Sequence, residues 1–483
     1  MGMNILFLMT DQQRYDCIGY APTSKVPTPN MDRIAEGMAF TQCQSVNPIC
    51  QPCRTALLTG RYSHQIGTLQ MSGDLNFDTP TFPQALQRAG YWTAGIGKFH
   101  YLQTWPWHVE RGGGVPLTEL RAEMEGLGFD RVWETSGKQL AVKNYCDYCE
   151  YLDKEGLLEE FRDMVSDRGA NNAKPTVVEL EKDGTPWPFG EEHHIDTVTG
   201  RKIREAIEDR DPDKPFFILG SFCSPHKPFD PPQRFLEAVP YEEEDDFIRG
   251  EGGELTPEQK QVLWKLRRSY KATIQLVDEE IGKILDQLES DDLMEDTLVV
   301  LTSDHGELMG DHYLVQKSSY YRESQNVPLA VRHPQFLTGR VNDSPVEITD
   351  ITATILAAAG LNAEEALSQP WPAFQNRIPC RSLLPVVSGD AETIREYAFS
   401  ESRGVWECIT SQHYKYVKFL EYDDPDRGPQ ECLFDLRSDP TEQINLAGEL
   451  AHRATLEWHR RRLQFVMDRT PPVQHRWAPL AGG

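Results

Sequence analysis

The stretch NPICQPCRTALLTGRYSHQIG, residues 47–67, brings together two thiols, Cys50 and Cys53, and the guanidinium of Arg54. Thiols at this spacing can cycle between dithiol and disulfide, or bind zinc with the second C-x-x-C at Cys146 and Cys149. Neither reading suits the surroundings. Zinc ribbons separate their pairs by roughly 15 to 20 residues, far fewer than lie between Cys53 and Cys146. A redox C-x-x-C opens the helix of a small thioredoxin-like unit, and none is evident around Cys50. The residues after Cys50 are more informative: Pro52, the apolar run Ala56-Leu57-Leu58 and Gly60 as a stop predict a helix that begins at Cys50. Unpaired N–H groups and the macrodipole at such a terminus favour an anion.

Other chemistry-bearing residues sit where strands should end. Four short apolar runs, Asn4 to Thr10, Tyr91 to Ile96, Phe216 to Phe222 and Thr297 to Ser303, read as buried strands. They run into Asp11-Gln12, GKFH, CSPHKPF and DHGE respectively. Helical patterns lie between them, in TPNMDRIAEGM, FPQALQRAG and DTVTGRKIREAIED. This alternation predicts an α/β fold with a large mixed, mostly parallel sheet sandwiched by helices. Ligands of open α/β sheets bind at the carboxyl ends of the strands, so the four polar clusters should converge on one site. Thr256, Pro257 and Gln259 form a capping-box pattern that opens a long helix. The acidic cluster Glu242 to Asp246 just before it reads as solvated surface. From Arg377 onward, EYAFSES, WECITSQ, YKYVKFL and ECLFDLR read as short strands, followed by a polar helix from Ala451 to Phe465. The expected division is a catalytic α/β domain over residues 1–376 and a smaller C-terminal antiparallel sheet plus helix over 377–483.

Composition narrows the partners. With 75 acidic and 49 basic residues the net charge is −26, which repels nucleic acid and anionic lipid. No apolar run reaches the roughly 18 residues of a membrane-spanning helix, and ILFLMTD near the N-terminus reads as a first strand rather than a signal sequence. A cytoplasmic location is the expectation, and the ten cysteines are then free thiols rather than a disulfide framework.

Cys50-x-Pro52-x-Arg54, extended by Leu57 to Arg61, resembles the signature of the type I sulfatases of the alkaline-phosphatase superfamily. The resemblance implies that a separate maturation enzyme oxidises Cys50 to formylglycine, while Cys53 occupies a variable position. It also implies a divalent cation, Ca2+ or Mn2+, held by Asp11, Gln12, residue 50, Asp304 and His305. Gln12 stands where a second Asp is more frequent, and His305 where many members carry Asn. By the same resemblance Lys98 and Lys317 bind sulfate oxygens, and His100 takes a proton from the formylglycine hydrate. His226 protonates the leaving group, and Arg54 stabilises residue 50. Further stretches carry the likeness across most of the chain, among them VPTPNMDRIAEGMAF, DITATILAAAGL and LFDLRSDPTEQINLA.

The expected activity is hydrolysis of a sulfate monoester, with a phosphonate monoester or phosphodiester hydrolase of the same superfamily as the alternative. Aryl and choline sulfates are further candidate substrates. Trp105, Trp107 and Trp187 could wall a pocket for a sugar or an aryl group, and a carbohydrate sulfate is the favoured substrate. His108, His193 and His194 are further pocket candidates, although isolated histidines more often pack in the core or at the surface. His312 either touches the site or packs beside Lys317. The partners implied are a small-molecule or saccharide sulfate ester and the maturation enzyme, with no nucleic acid or membrane and with room for a homo-oligomer.

Overall fold

A strand that is apolar at every position needs cover on both faces. In the computed structural model the run NILFLMT has it. This strand, β1 (Asn4–Thr10), sends Ile5, Phe7 and Met9 into one hydrophobic cluster and Leu6 and Leu8 into another, the two-residue alternation of a pleated strand. The structure describes residues 2–71, 75–76, 78–102, 115–168, 176–244, 246–250, 253–368, 377–402, 404–420 and 430–473.

Along the chain the next strands are β2 (Met38–Gln44), β3 (Trp92–Gly97), β4 (Arg131–Glu134), β5 (Phe216–Ser221), β6 (Thr297–Ser303), β7 (Asn326–Arg332), β8 (Arg340–Asn342) and β9 (Val346–Glu347). With β1 they make one sheet in the order β4-β3-β5-β1-β6-β7-β2-β8, with β9 also pairing with β2. The pairings β4-β3-β5-β1-β6 are all parallel, whereas β7 is antiparallel to both β6 and β2. The mixed, mostly parallel sheet expected from the sequence is therefore present.

Helices Pro29–Ala35, Ile195–Glu208 and Pro257–Ser290 cover one face, with Met31, Ile203 and Ile281 in the cluster of Leu6 and Leu8. Thr256 caps the longest of them: its hydroxyl accepts from Gln259 N at 3.2 Å, and Gln259 Oε1 accepts from Thr256 N at 2.8 Å. Helices Cys50–Thr59, Phe82–Arg88 and Asp350–Ala358 cover the other face.

The four C-terminal runs form β10 (Tyr397–Ser402), β11 (Trp406–Ser411), β12 (Tyr414–Phe419) and β13 (Glu431–Asp435), an antiparallel sheet in that order. Helix Arg453–Arg469 packs on it through Leu456, Leu463 and Val466. Phe399, Ile409, Tyr416 and Leu433 join the same cluster as Ile5 and Phe7, so the small sheet shares its core with the large one. Among the described residues no helix is long and apolar enough to cross a membrane, and all ten cysteines are free and buried.

Candidate active site

Because β1, β3, β5 and β6 run parallel, their carboxyl ends lie along one edge of the sheet. Asp11 and Gln12 leave β1 there, Lys98 and His100 leave β3, His226 follows β5, and Asp304 and His305 leave β6. Gln12 and His100 have φ of 71° and 57°, the left-handed region that non-glycine residues seldom adopt outside sites that need it.

The predicted helix begins at Cys50 and ends after Thr59, with Gly60 at φ 66° and its N–H bonded to the carbonyl of Ala56. Every residue of this helix is buried, so Cys50 is fixed at the sheet edge by the packing of Cys53, Ala56, Leu57 and Leu58. Its Sγ lies 2.9 Å from Lys317 Nζ, 3.2 Å from His305 Nε2 and 3.8 Å from Asp11 Oδ1. Burial alone would push this thiol up, but Lys317, Lys98 and His305 together hold it well below the usual thiol range.

Arg54, one turn along, is the buried tie between the two metal-type carboxylates. Its Nε donates to Asp304 Oδ2 at 2.8 Å and its Nη2 to Asp11 Oδ2 at 3.1 Å, while Nη1 donates to the Lys98 carbonyl at 2.6 Å and to Ser221 Oγ at 2.8 Å. Lys98 Nζ meets Asp11 Oδ2 at 2.5 Å. Burial and the neighbouring Cys50 push the Asp11 carboxyl up, yet Lys98, His226 and Arg54 bring it below the normal carboxylate range. The Lys98 ammonium, disfavoured by burial, is raised to about 12 by Asp11 and Cys50.

Three imidazoles share one arrangement. Each ties one ring nitrogen to a backbone carbonyl, His305 Nδ1 to Gly306 at 3.0 Å, His100 Nε2 to Ser136 at 3.2 Å and His226 Nδ1 to Lys227 at 2.9 Å. A carbonyl can only accept, so each of these nitrogens carries a proton, and in the neutral ring the other nitrogen keeps a lone pair. All three rings also interact with the Cys50 side chain. Burial and the nearby Lys98 and Lys317 hold His226 down to about 3, burial and Lys98 lower His100, and Asp304 outweighs burial to raise His305.

Asp11, Cys50, Asp304 and His305 each offer one ligand atom, and these atoms lie within 4.8 Å of one another. Gln12 Oε1 faces the same space, since Lys317 Nζ donates to it at 2.9 Å while also touching Cys50 Sγ. Two carboxylates, an amide oxygen and an imidazole with its lone pair inward make a donor set that fits a divalent cation. The catalytic and metal-ligand candidates read from the sequence thus gather at one point.

Glu307, which the sequence reading passed over, fixes Gln12. Its carboxylate accepts from Gln12 Nε2, which leaves Oε1 aimed at the site, and Oε1 of Glu307 also accepts from Met309 N at 3.0 Å. Its place in SDHGE, three residues beyond Asp304, was the available signal. Ser221 and Ser136 act through a hydroxyl and a carbonyl, and nothing in their local sequence marks them.

The remaining candidates lie elsewhere. His312 pairs with Glu323 at 3.1 Å and stacks on Tyr321 at 3.4 Å, so it packs rather than reaching Cys50. His193 Nδ1 bonds to Tyr151 Oη at 2.7 Å. His194 is buried between Asp196 and Asp230 and caps helix Ile195–Glu208, and Trp187 packs edge-on against it at 5.0 Å. Trp105, Trp107 and His108 fall outside the described residues. Cys53 donates to the Asp304 carbonyl at 2.9 Å, and Cys146 and Cys149 lie 3.4 Å apart in a separate hydrophobic cluster.

A mostly parallel sheet thus carries, at the carboxyl ends of its strands, paired carboxylates and a helix-borne cysteine in one buried cluster able to hold a cation. The family model described as Sulfatase matches residues 3–361, and one described as N-sulphoglucosamine sulphohydrolase, C-terminal, matches residues 310–468. The chain belongs to the sulfatase family and is a sulfuric ester hydrolase. It is 27% identical to an arylsulfatase of Clostridium perfringens over 95% of this chain and 93% of that one. It is also 27% identical to the N-acetylglucosamine-6-O-sulfatase of Bacteroides thetaiotaomicron, over 92% of this chain and 83% of that one. The fold is that of the phosphonate monoester hydrolase of Agrobacterium radiobacter, with a TM-score of 0.75, 21% identity and coverage of 97% of this chain and 96% of that one.

Proposed function

We propose that the protein hydrolyses the sulfate monoester of a saccharide, with Cys50 converted to formylglycine as its nucleophile and Ca2+ or Mn2+ held by Asp11, Gln12, Asp304 and His305. The carrying observation is the position of the Cys50 side chain, buried at a helix N-terminus within 2.9 Å of Lys317 and 3.2 Å of His305. Its Sγ marks the place of an oxygen of the aldehyde hydrate.

A hydrate carries two hydroxyls on one carbon. One attacks sulfur as the bond from sulfur to the ester oxygen breaks, giving a sulfated hemiacetal and the free alcohol. Lys98 and Lys317 face the charge that develops on the sulfate oxygens. An anionic ester offsets these two ammonium groups, which allows His226 to take the proton of the attacking hydroxyl and pass it to the leaving oxygen. His100, with the lone pair of Nδ1 available, removes the proton of the second hydroxyl as the carbon–oxygen bond to sulfate breaks and the aldehyde reforms. A cation held by Asp11, Gln12, Asp304 and His305 would supply Lewis-acid stabilisation of negative charge on oxygen.

The saccharide preference draws on the N-acetylglucosamine-6-O-sulfatase among the relatives. Hydrolysis of phosphonate monoesters is the second reading, favoured by the likeness in fold to the Agrobacterium enzyme and by the anion-binding character the two reactions share. Comparison of kcat/KM across sugar sulfates, aryl sulfates and phosphonate monoesters tests both. The reading predicts the highest value for a sugar sulfate, and a phosphonate preferred over every sulfate would overturn it.

A further inference from the structure

A second cleft, of about 280 Å3, opens between the large sheet and the small one. Its floor comes from Gln44 and Asn326, at the facing ends of β2 and β7, and from the buried pair Lys415–Glu442 at 2.9 Å. At its rim Gln42 Nε2 donates to the Gln412 carbonyl at 3.2 Å, and Gln412 Nε2 donates to Asp343 at 3.3 Å. Amide donors and acceptors of this kind match the hydroxyls of a sugar.

Charge gives the cleft its direction. The chain has 75 acidic and 49 basic residues, yet this lining carries Arg322, Lys415, Arg437 and His413 against Asp343 and Glu442, with Lys415 paired to Glu442 and Arg437 paired to Asp435 just outside it. Arg322 is the telling member. Its guanidinium lies over the ring of Tyr15 at 4.2 Å, and among the described residues it pairs with no carboxylate. An unpaired guanidinium beside a polar cleft is a seat for a carboxylate or sulfate.

The cleft and the active site are neighbours. β7 is antiparallel to β6 and to β2, so the start of β7 and the end of β2 lie on the sheet edge where Asp11 and Asp304 emerge. That places the cleft two to three strand spacings of about 4.8 Å from β1. The segment from Lys317 to Arg322 links the two and spans no more than about 18 Å even when fully extended. We propose that this cleft is a remote subsite that takes an anionic unit of an extended saccharide whose sulfated unit lies at Cys50, an inference that rests on the saccharide reading above.

The test is kcat/KM for a sulfated monosaccharide, the matching tetra- and hexasaccharides and an aryl sulfate, measured on the parent, on Arg322→Gln and on the double variant His413→Ala, Arg437→Ala. His413 and Arg437 are exposed, so the double variant should fold even where Arg322→Gln does not. The expected result is a preference of at least tenfold for the longer chains, expressed in KM. Both variants should erase it while leaving the monosaccharide and aryl values within about twofold. Length-independent hydrolysis by the parent, a preference that survives the double variant, or an equal fall on all substrates overturns the subsite. Cleavage confined to non-saccharide sulfates overturns the saccharide reading together with it.

Discussion

Arg54 Nε donates to Asp304 Oδ2 at 2.8 Å with both side chains buried, and the same guanidinium reaches Asp11. One guanidinium therefore bridges both carboxylates that the cation would bind, with Lys98 sharing Asp11, and it also anchors the loop that carries Lys98.

Loss of this fork should cost stability as well as activity. Arg54→Ala leaves the buried Asp304 without its cationic partner and Asp11 with Lys98 alone, and should lower unfolding free energy by about 3–5 kcal/mol in the metal-free protein. Arg54→Lys retains the charge but loses the planar fork, so an intermediate loss is expected. Denaturant unfolding after chelation reads this directly, and two variants as stable as the parent would contradict it.

Glu307 should act as a positioning residue. With Glu307→Ala, Gln12 loses the acceptor that turns its carbonyl oxygen inward, and affinity for Ca2+ or Mn2+ should fall by about 10–100-fold. Glu307→Gln keeps an acceptor and should recover most of it. Calorimetric titration of metal into the apoprotein, together with rescue of activity by excess metal, separates this role from a merely structural one.

Cys53 should prove dispensable for chemistry. Its thiol donates to the Asp304 carbonyl and accepts from Ser45, which supports packing only. Cys53→Ala should cost about 1 kcal/mol of stability and leave most sulfate release intact, whereas Cys50→Ala abolishes it. Equal loss from both would restore the dithiol reading.

A pH dependence of folding should come from His64, whose partners are Glu401 and Thr470. Burial alone would lower its pKa, but Glu401 at 2.9 Å, with help from the Thr470 carbonyl, raises it above the ordinary 6.5. A histidine raised on folding contributes stability that is complete below its unfolded pKa and is lost as pH rises through its folded one. As pH rises from below the ordinary histidine range through the raised folded-state value, the parent should therefore lose more stability than His64→Gln. Parallel pH profiles of the two proteins in urea would contradict this.

Much of this arrangement was legible in sequence because strand ends carry their polar residues in cis. Asp11-Gln12, GKFH and DHGE each come directly after an apolar run, so a parallel sheet was enough to place them together. The Cys50 helix was equally legible from Pro52 and Gly60. Ser136, Ser221 and the Arg322 cleft were not, since they depend on which distant segments pack together, and a serine carbonyl or an unpaired guanidinium has no local pattern. Trp187 and His194 have types that suit a sugar pocket or a packed core equally well, and only the fold shows that they are buried against each other.

The central claim is that residue 50 is the nucleophile in oxidised form. Mass spectrometry of the peptide that contains it, taken from a preparation titrated for sulfate release, tests this most directly. An aldehyde or its hydrate at residue 50, in proportion to the active fraction, is the predicted result. A fully active preparation in which Cys50 remains an unmodified thiol would contradict it.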